Sequence, residues 1–307
     1  MKTFTFYGLT AILLVGLTTS VFAQSNMDAA RQQMHNGIMK QELLHDMLVG
    51  YKTNIDLTQS LGMSYFREGF GLSQEQIEEI QRKVLVSPYA ALENDPDFML
   101  LRDGIRKFNP DDPEATEETL KNYADFRVKL EAMRREKHVS LFYENLTPEQ
   151  AKKVHEFHIA TMSETEYVFP RMFEALDLSD EQRKQFDAIQ KEMRPEFEKH
   201  VDKIREYWGR PPSEKDAVRV SGKELADKLK IRMFDVLTDA QWARLQELVD
   251  NPPDHAKKWL AQQRTNREHA RKHDAWVPGP GAWQPGSSAI PEQYRQERNR
   301  RFPRGGN

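Results

Sequence analysis

The 307-residue chain predicts an all-α protein: elongated helical hairpins bundled as two tandem units, followed by a disordered C-terminal tail. Three observations predict it. The pattern Leu-Ser/Thr-x-x-Gln occurs four times, opening at Leu72, Leu146, Leu178 and Leu237. Apolar residues follow each copy at helical spacing. The composition, 38% hydrophobic and 30% charged, suits long amphipathic helices with wet outer faces.

Each copy has the chemistry of a helix start. Ser or Thr stands at the N-cap, where its hydroxyl accepts from a free N–H of the first turn. Gln three residues on reaches back to the cap's own N–H, completing a capping box. The pairs are Ser73/Gln76, Thr147/Gln150, Ser179/Gln182 and Thr238/Gln241. Pro148 sits at a first helical position, where its missing N–H costs nothing. Leu72, Leu146, Leu178 and Leu237 are placed for a hydrophobic staple, with Ile77 and Trp242 as good partners, Ala151 a weak one and Arg183 only through its stem. Average residue usage predicts about 0.1–0.2 chance copies in such a length. Four copies favour a repeated unit.

Along the chain, residues 1–23 read as a secretory signal peptide. Lys2 gives a positive start, an apolar run passes through Ala11 to Leu17, and Val21 and Ala23 permit cleavage before Gln24. A periplasmic or secreted protein is expected. There is no Cys, so neither a lipid-carrying Cys nor a disulfide framework is available. Residues 24–68 form an N-terminal helical segment: a helix over 25–50 carrying Met34, Ile38, Leu44, Met47 and Leu48, then a looser connection over 52–70.

The first motif unit spans 69–160. Its opening helix fades at Ser87-Pro88. An acidic, turn-rich insert over 93–116 surrounds a short apolar piece from Phe98 to Leu101. A long helix follows from about Glu117 to Tyr143, with Leu120, Tyr123, Phe126, Leu130 and Met133 inward. The second unit spans 161–254, entered through a linker from Ala160 to Asp177 that contains Pro170. Phe186, Ile189, Met193, Phe197, Val201, Ile204 and Trp208 mark one long helix, with a kink expected at Pro195 and a stop at Gly209-Arg210-Pro211-Pro212. A box at Ser221/Glu224 opens the next helix, and Asp250–Asp254 is a boundary. Residues 255–307 are a basic helix to about Asp274, then a Pro/Gly/Arg tail with isolated Trp276, Trp283, Tyr294 and Phe302. Disorder is expected there, with docking on a surface as the alternative.

The motif at helix starts resembles the Spy/CpxP group of small, all-helical periplasmic proteins, which includes an ATP-independent chaperone. In that family a chain carries two such motifs, and two chains pair into a thin cradle that holds clients on its concave face. The resemblance implies that this chain contains the arrangement twice, over about 69–160 and 174–250, as a monomer with two fused units. The stripes at Ile80/Val84 and Phe186/Ile189 would join them. Stress response and coiled-coil-like helices belong to the same expectation.

Charge is uneven. Residues 255–307 carry a net of +7 and the body, 24–254, a net of −11. An acidic body excludes a nucleic-acid-binding core, while a basic tail suits an anionic surface or an acidic partner. The family's chaperone face is basic, so this body departs from it. There is no Gly-rich phosphate loop, nucleophile elbow, His-Glu-x-x-His or thiol, so neither an enzyme nor a cofactor is expected. His155/His158 and His269/His273 have helical spacing for half a metal site each, and surface or interface histidines are the alternative. The expected function is ATP-independent binding of unfolded or partner polypeptides on an amphipathic surface. A metal-responsive periplasmic sensor and a structural envelope protein are the alternatives.

Overall fold

The computed structural model describes residues 27–44, 50–86, 90–109, 112, 115–162, 169–206, 216–272 and 290–301, which form helices and turns with no strand among them. The expected signal peptide, the Ser87-Pro88 stop, the Gly209–Pro212 break, Trp276, Trp283 and Phe302 lie outside the described residues. The helices are α1 over 27–44, then α2 Tyr51–Ser60, α3 Ser64–Phe70, α4 Gln74–Gln81, α5 Pro96–Arg106, α6 Glu117–Glu144, α7 Pro148–Thr161, α8 Asp180–Glu206, α9 Asp216–Val236, α10 Asp239–Asp250, α11 Asp254–Lys272 and α12 Glu292–Arg301.

Two compact units divide the chain. The smaller takes the described residues up to Glu42 together with Leu92–Arg134; the larger takes Leu43–Ala91 and everything from Arg135 onward. Both motif pairs lie in the larger. In the smaller unit Leu92, Phe98, Leu101 and Leu130 form a modest core. Asp95 caps α5, its carboxylate accepting from the N–H groups of Asp97 and Phe98, and Pro96 occupies the first turn. The turn-rich insert expected at 93–116 is therefore a capped helix over much of its length. The acidic residues that suggested turns are, in part, cap and first-turn residues.

The larger unit holds two cores. The first gathers Leu57, Phe66, Phe70, Ile77, Ile80, Val84, Phe142, Val154 and Phe157. The second gathers Phe173, Phe186, Met193, Phe197, Leu229, Phe234, Trp242 and Leu245. The stripes expected to join the motif units line different cores: Ile80/Val84 the first, Phe186/Ile189 the second. What the cores share is α7. Its Val154, Phe157 and Ala160 enter the first core while Ile159 enters the second. A helix buried on opposite faces keeps no wide solvated face, and from Val154 to Thr161 every residue of α7 except Glu156 is buried.

Three further expectations are corrected, and the linker is partly helical. Residues 52–70 are not a loose connection but α2 and α3, because Phe66 and Phe70 stack at 5.4 Å and both meet the edge of Phe157. Gly50 precedes α2 at φ 68°, and a Cβ there would lie 2.4 Å from the Phe169 ring. The linker from Ala160 to Asp177 contains a 3₁₀ helix, Pro170–Leu176, whose Met172, Phe173, Ala175 and Leu176 are buried. Ser221 does not start a helix: it lies inside α9, where its hydroxyl donates to the Val218 carbonyl at 3.0 Å. The tail is not disordered throughout, since α12 forms and Ile290 is fully buried in the second core. α8 stays helical through Pro195.

α11 is held against the first core through His255, Ala256 and Trp259. Gly69 of α3 abuts the His255 ring of α11, and a Cβ at 69 would stand 2.5 Å from that ring. His255 in turn packs on Phe70 and Phe157.

Candidate functional site

All four capping boxes form. The cap hydroxyls accept from the glutamine N–H at 3.1 Å in Ser73, 3.2 Å in Thr147 and Ser179, and 3.3 Å in Thr238. In return each cap N–H donates to its own glutamine Oε1: Ser73 at 3.2 Å, Thr147 and Ser179 at 2.9 Å, Thr238 at 3.0 Å. Such boxes are local devices, which is why the sequence shows them.

The glutamines also do something the local pattern does not announce. Gln76 and Gln150 exchange amide hydrogen bonds, each Nε2 donating to the other's Oε1 at 3.2 Å. Gln182 and Gln241 do the same at 2.6 and 3.1 Å. The second N–H of each amide goes to the carbonyl just before its partner's motif. Gln150 reaches Gly71 at 2.7 Å and Gln76 reaches Asn145 at 3.5 Å. Gln182 reaches Val236 at 3.0 Å and Gln241 reaches Asp177 at 3.4 Å, with Leu176 at 3.0 Å. Each amide thus closes its own helix start and clasps the opposing one. Because an amide carries two donors and one carbonyl acceptor, glutamine satisfies both demands at once; glutamate would put two acceptors face to face. The motif is a two-part clasp, used twice.

The two clasps are finished differently. In the first pair Lys83 donates to the Asn145 side chain at 2.9 Å, and the Asn145 amide caps the Leu141 carbonyl at 2.5 Å. In the second pair a distant segment supplies the finish. Arg298 of α12 donates to the carbonyls of Phe234 and, at 2.6 Å, Leu237, where α9 ends. Its guanidinium lies 4.9 Å over the Trp242 ring. Tyr294 donates to Asp235 at 2.7 Å, and Arg295 binds Asp250 at 2.8 Å. Asn299 accepts from Trp242 at 3.4 Å and Gln246 at 3.3 Å. Burial and the bond to Asp235 push the Tyr294 hydroxyl up to about 12. Sequence reasoning missed Arg298, Asn299 and Ile290. The available signal was the four-residue spacing of Ile290, Tyr294 and Arg298 within a polar stretch.

Of the candidate metal ligands, His155 and His158 are placed otherwise than a metal site needs. His155 is stacked on Tyr143, ring centres 4.8 Å apart, and its Nδ1 meets the Tyr143 hydroxyl at 3.5 Å. His158 is 2% exposed, and neither ring nitrogen has a hydrogen-bond partner among the described residues. Burial pushes His155 down to about 4 and His158 down to about 3. The His269 backbone belongs to α11, while its side chain and His273 lie outside the described residues. Among the described residues no group of three or more ligating side chains converges.

One open groove of about 650 Å³ runs between α8 and α9, lined by Lys199, His200, Lys203, Ser221 and Lys228 among others. Burial, then Lys203, lowers the His200 pKa. Lys228 is spoken for by Glu196 at 2.5 Å. Large exposed hydrophobic side chains are few among the described residues: Met63, Leu85, Leu100 and Val220. No family model, no curated protein and no solved structure matches this chain.

Proposed function

We propose that this chain is an exported, nucleotide-independent, chaperone-like protein that binds non-native or partner polypeptides and catalyses nothing. It works as a monomer whose two motif pairs are fused in one chain, in the manner that the Spy/CpxP resemblance implies. The observation that carries the proposal is the seat of α12. A segment rich in Gln, Glu and Arg, with Tyr294 as its sole large apolar-bodied residue, is held on α9 and α10 by carbonyl capping, ring contacts and ion pairs. The body thus already performs, within one chain, the recognition of a polypeptide segment that cannot pack by itself. The motif residues serve the frame, not the client.

The test is suppression of aggregation of a denatured client, without ATP, at stoichiometric ratios. Expected is a dose-dependent reduction in light scattering that nucleotide does not change. No reduction with several unrelated clients would sink the proposal. A second reading, a structural envelope protein, is favoured by the small number of exposed apolar side chains. It predicts no client effect and stable co-purification with envelope material. The metal-sensor reading finds no converging ligand group to build on among the described residues.

A further inference from the structure

We propose that the α12 seat is a recognition site for segments that carry an aliphatic residue just ahead of a short helix and an aromatic residue and an arginine four apart within it, and that the chain's own Ile290–Arg301 holds it occupied. This rests on the polypeptide-binding reading above and gives it an address, a ligand class and a regulator.

The anchors form one stripe. Ile290 is fully buried in the second core. In the first turn of α12, Tyr294 meets the Trp242 ring edge-on at 5.5 Å and the Phe234 ring at 6.0 Å. One turn further, Arg298 caps two carbonyls and covers Trp242. Tyr294 and Arg298, four apart, share one face of α12, and Ile290, just ahead of the helix, adds a third anchor where the chain enters it, so the three read as the anchors of a short helix in a groove. The remaining contacts are polar and lie at the rim, with Asp235 and Asp250 drawing the basic segment in.

The occupant is built to leave. Ten residues of this composition do not hold a helix alone, because nucleation is costly and isolated short helices are marginal in water; α12 exists because the seat orders it. The seat also has open space at its edge. A half-open, mostly polar pocket of about 380 Å³ lies there, lined by Ile231, Asp239, Glu297 and Arg298 among others. A partner with a larger side chain at the Glu297 position would fill space the tail leaves open. At the first motif pair the finish is local: Lys83 donates to the Asn145 side chain, whose amide caps the Leu141 carbonyl.

A tethered occupant acts at an effective concentration of roughly millimolar, so an external segment must compete with it. The seat is therefore masked in the intact chain and opens when the tail is outcompeted, weakened by salt or removed.

The experiment titrates a labelled synthetic peptide, residues 288–303, into the full chain and into the full chain carrying Tyr294→Ala and Arg298→Ala, read by fluorescence anisotropy. Expected is at least tenfold tighter binding to the double variant, lost when the peptide itself carries the arginine-to-alanine change and weakened at high salt. If the double variant melts before binding can be read, Arg298→Lys keeps the charge while losing the two-carbonyl fork, and should bind the peptide more tightly than the parent. Equal binding to parent and variant, or none to a folded variant, overturns the proposal. Concentration-dependent dimers that disappear in the double variant also overturn it, in favour of exchange of α12 between copies. Aggregation suppression without peptide binding would leave the broader reading standing and remove only this site. Peptide binding without suppression would do the reverse.

Discussion

Aligned on their closing motifs, Tyr143, Asn145, Ala151, His155 and His158 of the first pair correspond to Phe234, Val236, Trp242, Gln246 and Val249 of the second. Both pairs build the same glutamine clasp, and both end a long helix against it. At the first pair Asn145 supplies the polar finish, and His155 stacks on Tyr143 from within the same hairpin. At the second pair Val236 offers no side-chain polar group, and Gln246 instead donates to Asn299 of α12. Trp242, standing where the first pair has a small alanine, makes the surface on which Arg298 and Tyr294 rest. A clasp finished by local side chains thus sits beside one finished by a distant segment. The two share one frame, and a handful of differences at aligned positions decide where each finds its finish.

The largest expected effect that sharpens this contrast is acid sensitivity, and it should arise at the first pair. His155 and His158 are held neutral by burial, with folded pKa values of about 4 and about 3 against an ordinary 6.5. A depressed folded value means the unfolded chain binds protons first as pH falls. Their contribution is fully present above pH 6.5 and is lost as pH drops toward 3–4. Together they should remove on the order of 5 kcal/mol between pH 7 and pH 4. Chemical denaturation along a pH series checks this. His155→Gln with His158→Val, the residues of the second copy, should flatten the curve; an unchanged curve would place the acid response elsewhere.

Next comes core truncation. Phe157→Ala should cost about 3–5 kcal/mol, and Phe186→Ala in the other core about the same. Because α7 belongs to both cores, each change should lower one shared transition rather than split it. Calorimetry showing two separated transitions in either variant would mean that the copies melt independently and that α7 does not couple them.

The smallest effect concerns the caps. Thr147→Ala and Thr238→Ala should each cost about 1 kcal/mol, and the two should add, since they sit on different clasps. Melting temperatures of the single and double variants decide it. A markedly larger loss at Thr238 would show that the externally completed copy is the more fragile.

Much of the helical frame was legible because its signals are local. A capping hydroxyl and its glutamine are three residues apart, and an apolar stripe repeats within one turn, so the four boxes, α6 and α8 could be read along the chain. The clasp could not. Gln76 and Gln150 meet across a separation that no window spans, and nothing in either stretch reveals that the amide has a second task. Short helices were missed where tertiary contacts make them: α3 is held by Phe66 and Phe70 against Phe157, and α12 by a seat on α9 and α10. The histidine spacing was visible, but the same spacing serves a ligand pair or a buried face, and burial is a property of the neighbours.

Gly69 carries a consequence of its own. Alanine there would favour α3 as a helix by about 1 kcal/mol, yet its methyl group would drive into the His255 ring that anchors α11. Local preference and long-range fit thus pull in opposite directions at a single hydrogen atom. The position acts as a wedge point: the smallest possible side chain would push the His255 end of α11 outward while leaving the helix beneath it firmer than before.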